Sequence, residues 1–294
     1  MAVYKRTYKA YHGPLTPAWL RFTVLSRYGL STLFNSRPFT AYTVLCFLPF
    51  LVGLAYIYIV HSAAAQAVLG IGKTIPGTVN NVWFVSFLAI AAWMGFLLAA
   101  WGGPGMITKD FANHSVQLYL SRPISRAEYL FGKVSVLATL LSCTTWIPAL
   151  LLFFVKAQLQ GHGWIWENFW MAGSILLGCL IWIAMISLVS MAVAVWVKWR
   201  IAATALMLGI FFLLPALGAI LDAILRTHWG ALMNFPYMIT LVWAHLFRLD
   251  AIHRHSSGFD VVPLWSAWAS LLSVCAFCFW LLDRKLRARE VERS

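Results

Sequence analysis

The sequence predicts an all-α polytopic membrane protein with six transmembrane helices. Three observations predict it. Hydrophobic residues make up 62% of the 294-residue chain and charged residues 11%, with a mean hydropathy of +0.79. A soluble domain carries about 25% charged residues, and one core of this size cannot hide so much apolar surface. The apolar residues gather in runs of about 20, the length that crosses a ~30 Å hydrocarbon layer as a helix. The basic residues collect on alternate sides of those runs.

The elements follow in chain order. Residues 1–38 form a basic N-terminal segment, in which Thr16-Pro17 supplies an N-cap followed by Pro at the first helical position. Beyond it Trp19, Leu20, Leu25, Leu30, Leu33 and Phe34 mix with Arg21, Arg27 and Arg37. This is the pattern of an amphipathic helix lying in the membrane interface, and the scarcity of acidic residues favours that reading over a soluble cap. No cleavable signal peptide is expected, because the first strong apolar run begins near Phe39.

A membrane domain covers 39–282, with spans at about 39–60, 81–102, 134–155, 170–197, 201–221 and 262–282. Backbone groups in lipid must be satisfied within their own segment, which makes these spans helices. Pro49, Pro148 and Pro215 fall inside spans and predict kinks. Residues 230–248 suggest a seventh crossing, but the stretch is short, broken by Pro236, and carries Asn234 and His245. It is expected as a re-entrant or interfacial helix on the outer side between spans five and six, with Trp229, Tyr237 and Trp243 at headgroup depth. Residues 283–294 form a basic cytoplasmic tail.

Placing both termini in the cytoplasm leaves only Lys73, Lys156, Arg226, Arg248 and Arg254, of the 22 Lys and Arg residues, on the far side. That asymmetry orients the chain in a cytoplasmic (inner) membrane. The net charge of +13 then faces the cytoplasm and anionic headgroups, with no nucleic acid required.

Most candidate chemistry fails on inspection. Gly70-Ile-Gly-Lys-Thr74 resembles the end of a phosphate-binding loop, but the earlier Gly position is Ala67 and the loop lies outside. No cofactor, catalytic residue or metal ligand is assigned to this chain. Cys275 and Cys278 have redox spacing but sit in an apolar span, where small packing residues are expected. His253-Arg-His255 with Asp250 and Asp260 lacks a fixed ligand geometry. Thr144, Thr145, Ser187 and Ser190 are expected to bond back to their own helix or across helix pairs. Asp222 and Glu167 lie at outer span ends, and mid-membrane carboxylates are almost absent. Ion-coupled transporters use such carboxylates, so any energy for transport is expected from outside the chain.

One stretch of mixed composition remains, the loop between spans two and three. Ile107 through Leu120 can form a short helix, with Asp110, Asn113, His114 and Gln117 on one face. Ser121-Arg-Pro-Ile-Ser-Arg126 makes a turn at Pro123. Ser125 can cap the next helix, with Glu128 at the capping-box position. A short helix joined rigidly to two spans is a lever; the alternative is an ordinary solvated loop.

Ile107-Thr-Lys-Asp110, Val116-Gln-Leu-Tyr-Leu-Ser-Arg-Pro-Ile-Ser-Arg126 and Tyr129-Leu-Phe-Gly-Lys133 together resemble the signature region of ABC-2 type permeases, the transmembrane subunits of exporter-like ATP-binding cassette transporters. The architecture is similar too: six spans, a preceding interfacial helix, a basic turn at Lys198-Trp-Arg200, and outer helices between spans five and six. The resemblance implies a cytoplasmic coupling helix gripped by a separate ABC ATPase, present in two copies, which would carry the ATP and Mg. It implies a second permease, identical or sibling, beside this one in the lipid. Carried over by position, Asp110, Asn113, His114 and Gln117 would dock the ATPase. Arg122 and Arg126 would fix the turn or pair with its carboxylates, or with headgroup phosphates. Lys198 and Arg200 would form a smaller second contact. Two other readings stay open. One is a non-transporting membrane scaffold of an ATPase-driven assembly. The other is a polytopic membrane enzyme using His228, Asp250, His253 and His255 at its outer face.

Overall fold

The computed structural model describes residues 21–68, 79–112, 126–197, 199–226, 229–249 and 262–291. Eleven α-helices cover most of them: α1 (Arg21–Phe34), α2 (Arg37–Leu45), α3 (Leu48–His61), α4 (Ala63–Val68), α5 (Asn81–Ala112), α6 (Arg126–Thr144), α7 (Trp146–Gln160), α8 (His162–Trp196), α9 (Arg200–Leu225), α10 (Phe235–Leu246) and α11 (Leu264–Val291). A 3-10 helix, Trp229–Met233, links α9 to α10.

Among the described residues six segments are long and apolar enough to cross a membrane: Arg37–His61, Asn81–Thr108, Ala127–Gln160, Gly163–Trp196, Arg200–Leu225 and Leu264–Lys285. They correspond one for one to the six expected spans. Span four is the axle, with 67% of its most apolar window buried, whereas span five has 17% and faces outward.

Proline breaks two of the spans as expected. The first divides at Cys46 and Phe47, and α3 restarts with Pro49 in its first turn. The third divides at Thr145 (φ −117°, ψ −87°), just before Pro148. Both breaks follow from the missing proline N–H. Through Pro215, by contrast, α9 stays helical from Arg200 to Leu225.

The second span departs from expectation. Ile107–Ala112 do not start a separate short helix; they continue α5, which runs unbroken from Asn81. The reason is burial. Met106, Ile107 and Thr108 are all enclosed by the bundle, so the segment is core before it is loop. The rest of that predicted helix, residues 113–120, lies outside the described residues, as do the Pro123 turn and Ser125.

Pro104 inside α5 is accommodated by a distant hydroxyl. A proline cannot donate to the carbonyl four residues back, here Ala100, and an orphaned carbonyl in lipid is costly. Thr204 Oγ1 of α9 donates to Ala100 O at 3.1 Å. One residue on, the Arg200 guanidinium donates to Trp101 O at 3.3 Å. Replacing Thr204 by valine should therefore lower stability by about 1 kcal/mol, read as a lower thermal unfolding midpoint in detergent. A Thr204→Ser variant should retain most of it.

At the N-terminal side, α1 lies along α6 through small residues. A side chain at Gly132 would press on Leu25 and the Phe22 carbonyl, and one at Gly29 on Val136. Ser26 Oγ donates to Gly132 O at 3.1 Å. Val24, Tyr28 and Phe34 remain exposed. Its predicted Thr16-Pro17 cap lies outside the described residues.

The stretch after span five is no crossing. Helix α10 has 12 residues, about 18 Å, too short for the bilayer core. Asn234 Oδ1 caps it by accepting the Tyr237 N–H at 3.0 Å, with Pro236 in the first turn. The headgroup placement of Trp243 is corrected: it is 2% exposed, and its Nε1 donates to Gly178 O of α8 at 3.0 Å. A buried indole needs such a partner, so Trp243 pins α10 into the bundle. Trp229 is exposed.

Two hydroxyls also depart from expectation. Thr144 and Thr145 bond back to Leu140 and Leu141 carbonyls, but Ser187 and Ser190 are buried with no hydrogen-bond partner among the described residues. Ser190 is pressed against Gly103 of α5, and the contact selects it for size.

Candidate coupling site

The ends of α5 and α6 are joined by a buried polar triad. Asp110 follows the enclosed turn at Met106–Thr108, so it emerges at the rim of the bundle. Tyr129 and Lys133 stand four residues apart on α6, hence on one face. Lys133 Nζ lies 2.8 Å from Asp110 Oδ2, with the two side chains 8% and 16% exposed. The Tyr129 hydroxyl donates to the same oxygen at 3.0 Å, and Tyr129 is itself 1% exposed. The ammonium also lies 5.9 Å from the Tyr129 ring centroid.

This pairing satisfies three groups that would each be costly to bury alone. It also ties the last turn of span two to the first turns of span three. Residues 113–125, which connect the two, lie outside the described residues. Glu128 falls in the first turn of α6, where its charge complements the helix N-terminus.

The predicted docking residues divide accordingly. Asp110 is described, and its carboxylate is engaged with Lys133 and Tyr129. Arg126 opens α6. Asn113, His114, Gln117, Arg122 and Lys198 lie outside the described residues. Arg200 is exposed at the start of α9, and its guanidinium lies along α5 where Gly105 has no side chain: a Cβ there would sit 2.8 Å from Arg200 Nε. The structure thus brings Asp110 and Arg200 to one end of the bundle, together with Lys133.

Tyr129 and Lys133 stand within the signature motif, which by itself gives them no role. Their spacing of four was the available signal. Pairing with Asp110 was hidden because it depends on α5 continuing past Pro104.

The opposite end of the bundle is built differently. Lys156 is buried, donating to Val79 O, with its ammonium 4.2 Å from the Trp164 ring centroid; aromatic faces are a recognised berth for a cation. Among the described residues no three His, Cys, Asp or Glu side chains come together as metal ligands, and all five cysteines are unpaired. His228, Asp250, His253 and His255, the outer-face candidates, lie outside the described residues.

The model of the ABC-2 family transporter proteins matches residues 27–285, from within α1 to the end of span six. The chain belongs to the ABC-2 transporter family. It is a multi-pass permease component of an ABC transporter, and the matched region contains the whole clamp. No curated relative matches the permease.

Proposed function

We propose that this permease is an exporter-like subunit driven by a separate cytoplasmic ATPase that grips residues 113–125. The single observation that carries the proposal is the Asp110–Lys133–Tyr129 clamp at the base of that segment. A lever transmits force only if its fulcrum is stiff, and here both arms are fixed to spans two and three by a shared carboxylate. The end of the bundle with the clamp is also the basic end, which supports placing it, and both termini, in the cytoplasm of an inner membrane.

In this reading Asn113, His114 and Gln117 meet the ATPase, Arg122 and Arg126 pair with its carboxylates, and Lys198 with Arg200 forms a second, smaller contact. Asp110 contributes by holding the lever. Two ATPase copies bind ATP and Mg, and two permeases, identical or sibling, form the pathway.

The test is co-purification from membranes in mild detergent. Arg126→Ala and His114→Ala should reduce ATPase recovered with the permease several-fold, or uncouple ATP turnover from transport, while leaving membrane insertion intact. Unchanged recovery together with unchanged turnover would defeat the assignment.

A further inference from the structure

We propose that the cavity between α1, α2, α5, α6 and α9 is a binding site for the phosphate headgroup of an anionic phospholipid. The cavity measures about 130 Å³, room for roughly four waters at ~30 Å³ each. Its polar lining comes from Tyr28, Thr32, Ser36, Asp110, Lys133 and Arg200. The charges sum in favour of an anion. Lys133 and Asp110 pair at 2.8 Å, which leaves the Arg200 guanidinium as the net positive charge among the described lining residues. Among the described residues its hydrogen bond goes to the Trp101 carbonyl at 3.3 Å, and no carboxylate lies within ion-pair distance. A guanidinium fork retains further N–H donors for a phosphate.

Depth and surroundings choose a lipid as the source. The apolar segments begin at Arg37, Ala127 and Arg200 and end at Thr108, and residues close to these four boundaries line the cavity. It therefore sits where the hydrocarbon core gives way to headgroups. Tyr28, which lines the cavity, is itself exposed, as are Val24 and Phe34 elsewhere on α1 and Val44 and Leu45 on α2, so two of the helices that form the cavity carry apolar surface for acyl chains. The berth for Arg200 is built into α5 by Gly105, against which the guanidinium lies. A lipid held here touches α1, both arms of the clamp and the start of span five at once. Membrane composition would then bear on the same end of the bundle that the coupling segment leaves, although the binding itself requires no ATPase.

Phosphatidylglycerol titrated into the detergent-solubilised full chain, with bound lipid counted by native mass spectrometry, tests this. Wild type should hold one phosphatidylglycerol in preference to phosphatidylcholine. Arg200→Gln keeps an amide donor for Trp101 but loses the charge, and should bind about fivefold more weakly, the loss of one near-surface cation. Gly105→Ala should weaken binding similarly, because the new methyl displaces only the end of a flexible side chain; it serves if Arg200→Gln fails to fold. Arg284→Gln, a basic residue at span six outside the cavity, should bind as wild type does. Equal binding by wild type, Arg200→Gln and Gly105→Ala would overturn the proposal. So would full competition by inorganic phosphate, which would make the ligand a free anion and not a lipid.

Discussion

Replacing Asp110 by alanine is expected to destabilise the permease by about 3–5 kcal/mol, the cost of leaving one member of a buried ion pair without its partner. The reason lies on α6. Lys133 is 8% exposed, and the structure gives its ammonium Asp110 and the Tyr129 ring as company. With the carboxylate gone, that mostly buried charge loses its ion-pair partner. Lys133→Ala should be milder, because Asp110 keeps the Tyr129 hydroxyl at 3.0 Å. Asp110→Asn should fall between, retaining an acceptor for Tyr129 without the charge. In the double variant Asp110→Ala/Lys133→Ala the loss should be far smaller than the sum of the singles, since neither charge is stranded. Thermal unfolding of the full chain in detergent measures all four. A loss under about 1 kcal/mol for Asp110→Ala, the scale of an exposed pair, would show that the triad is solvated and is no clamp.

The second large effect is expected at the other end of the bundle, where span five meets the 3-10 helix. Gly218 and Gly230 approach backbone to backbone, so a Cβ on either would collide with the other's carbonyl. At Gly230 the added carbon would also lie 2.8 Å from the Asp222 carboxyl, which accepts the Gly230 N–H at 2.7 Å. Backbone cannot turn aside as a side chain does. Gly230→Ala should therefore cost about 2–3 kcal/mol, the upper range for overpacking, and should loosen Trp229–Met233 and α10 from the bundle. Faster proteolysis between spans five and six, with a lowered unfolding midpoint, is the expected readout. Gly209→Ala in the same span should be nearly silent, because a Cβ there meets only a Leu213 methyl at 3.5 Å. Equal proteolysis rates for the two variants would show that the glycine contact does not hold the outer segment.

The span count and order were legible because lipid imposes a one-dimensional code: length and apolarity suffice to mark a crossing. The breaks at Pro49 and Pro148 were legible for a similar reason, since proline acts on its own helix. The shortness of α10 could be read from Pro236 and Asn234. The burial of Trp243 could not, because an indole at a membrane boundary and one packed in a bundle carry the same letter. The expected helix start at Ile107 was misplaced because of packing: polar residues downstream suggested a surface element, while Met106, Ile107 and Thr108 were already enclosed by neighbouring helices.

By itself, then, the sequence determined that this is a helical membrane protein of six crossings, which side carries its basic residues, and where its signature segment lies. Hydropathy, proline and charge act locally or against the bilayer, and each is visible in the letters. Only the tertiary structure decided what the signature segment is anchored to. Asp110 meets Lys133 across 23 residues of chain, and the carbonyl freed by Pro104 meets a hydroxyl on span five, 104 positions along the chain from Ala100. Those partners are chosen by which helix faces lie side by side, a property of the packed bundle that no single span encodes.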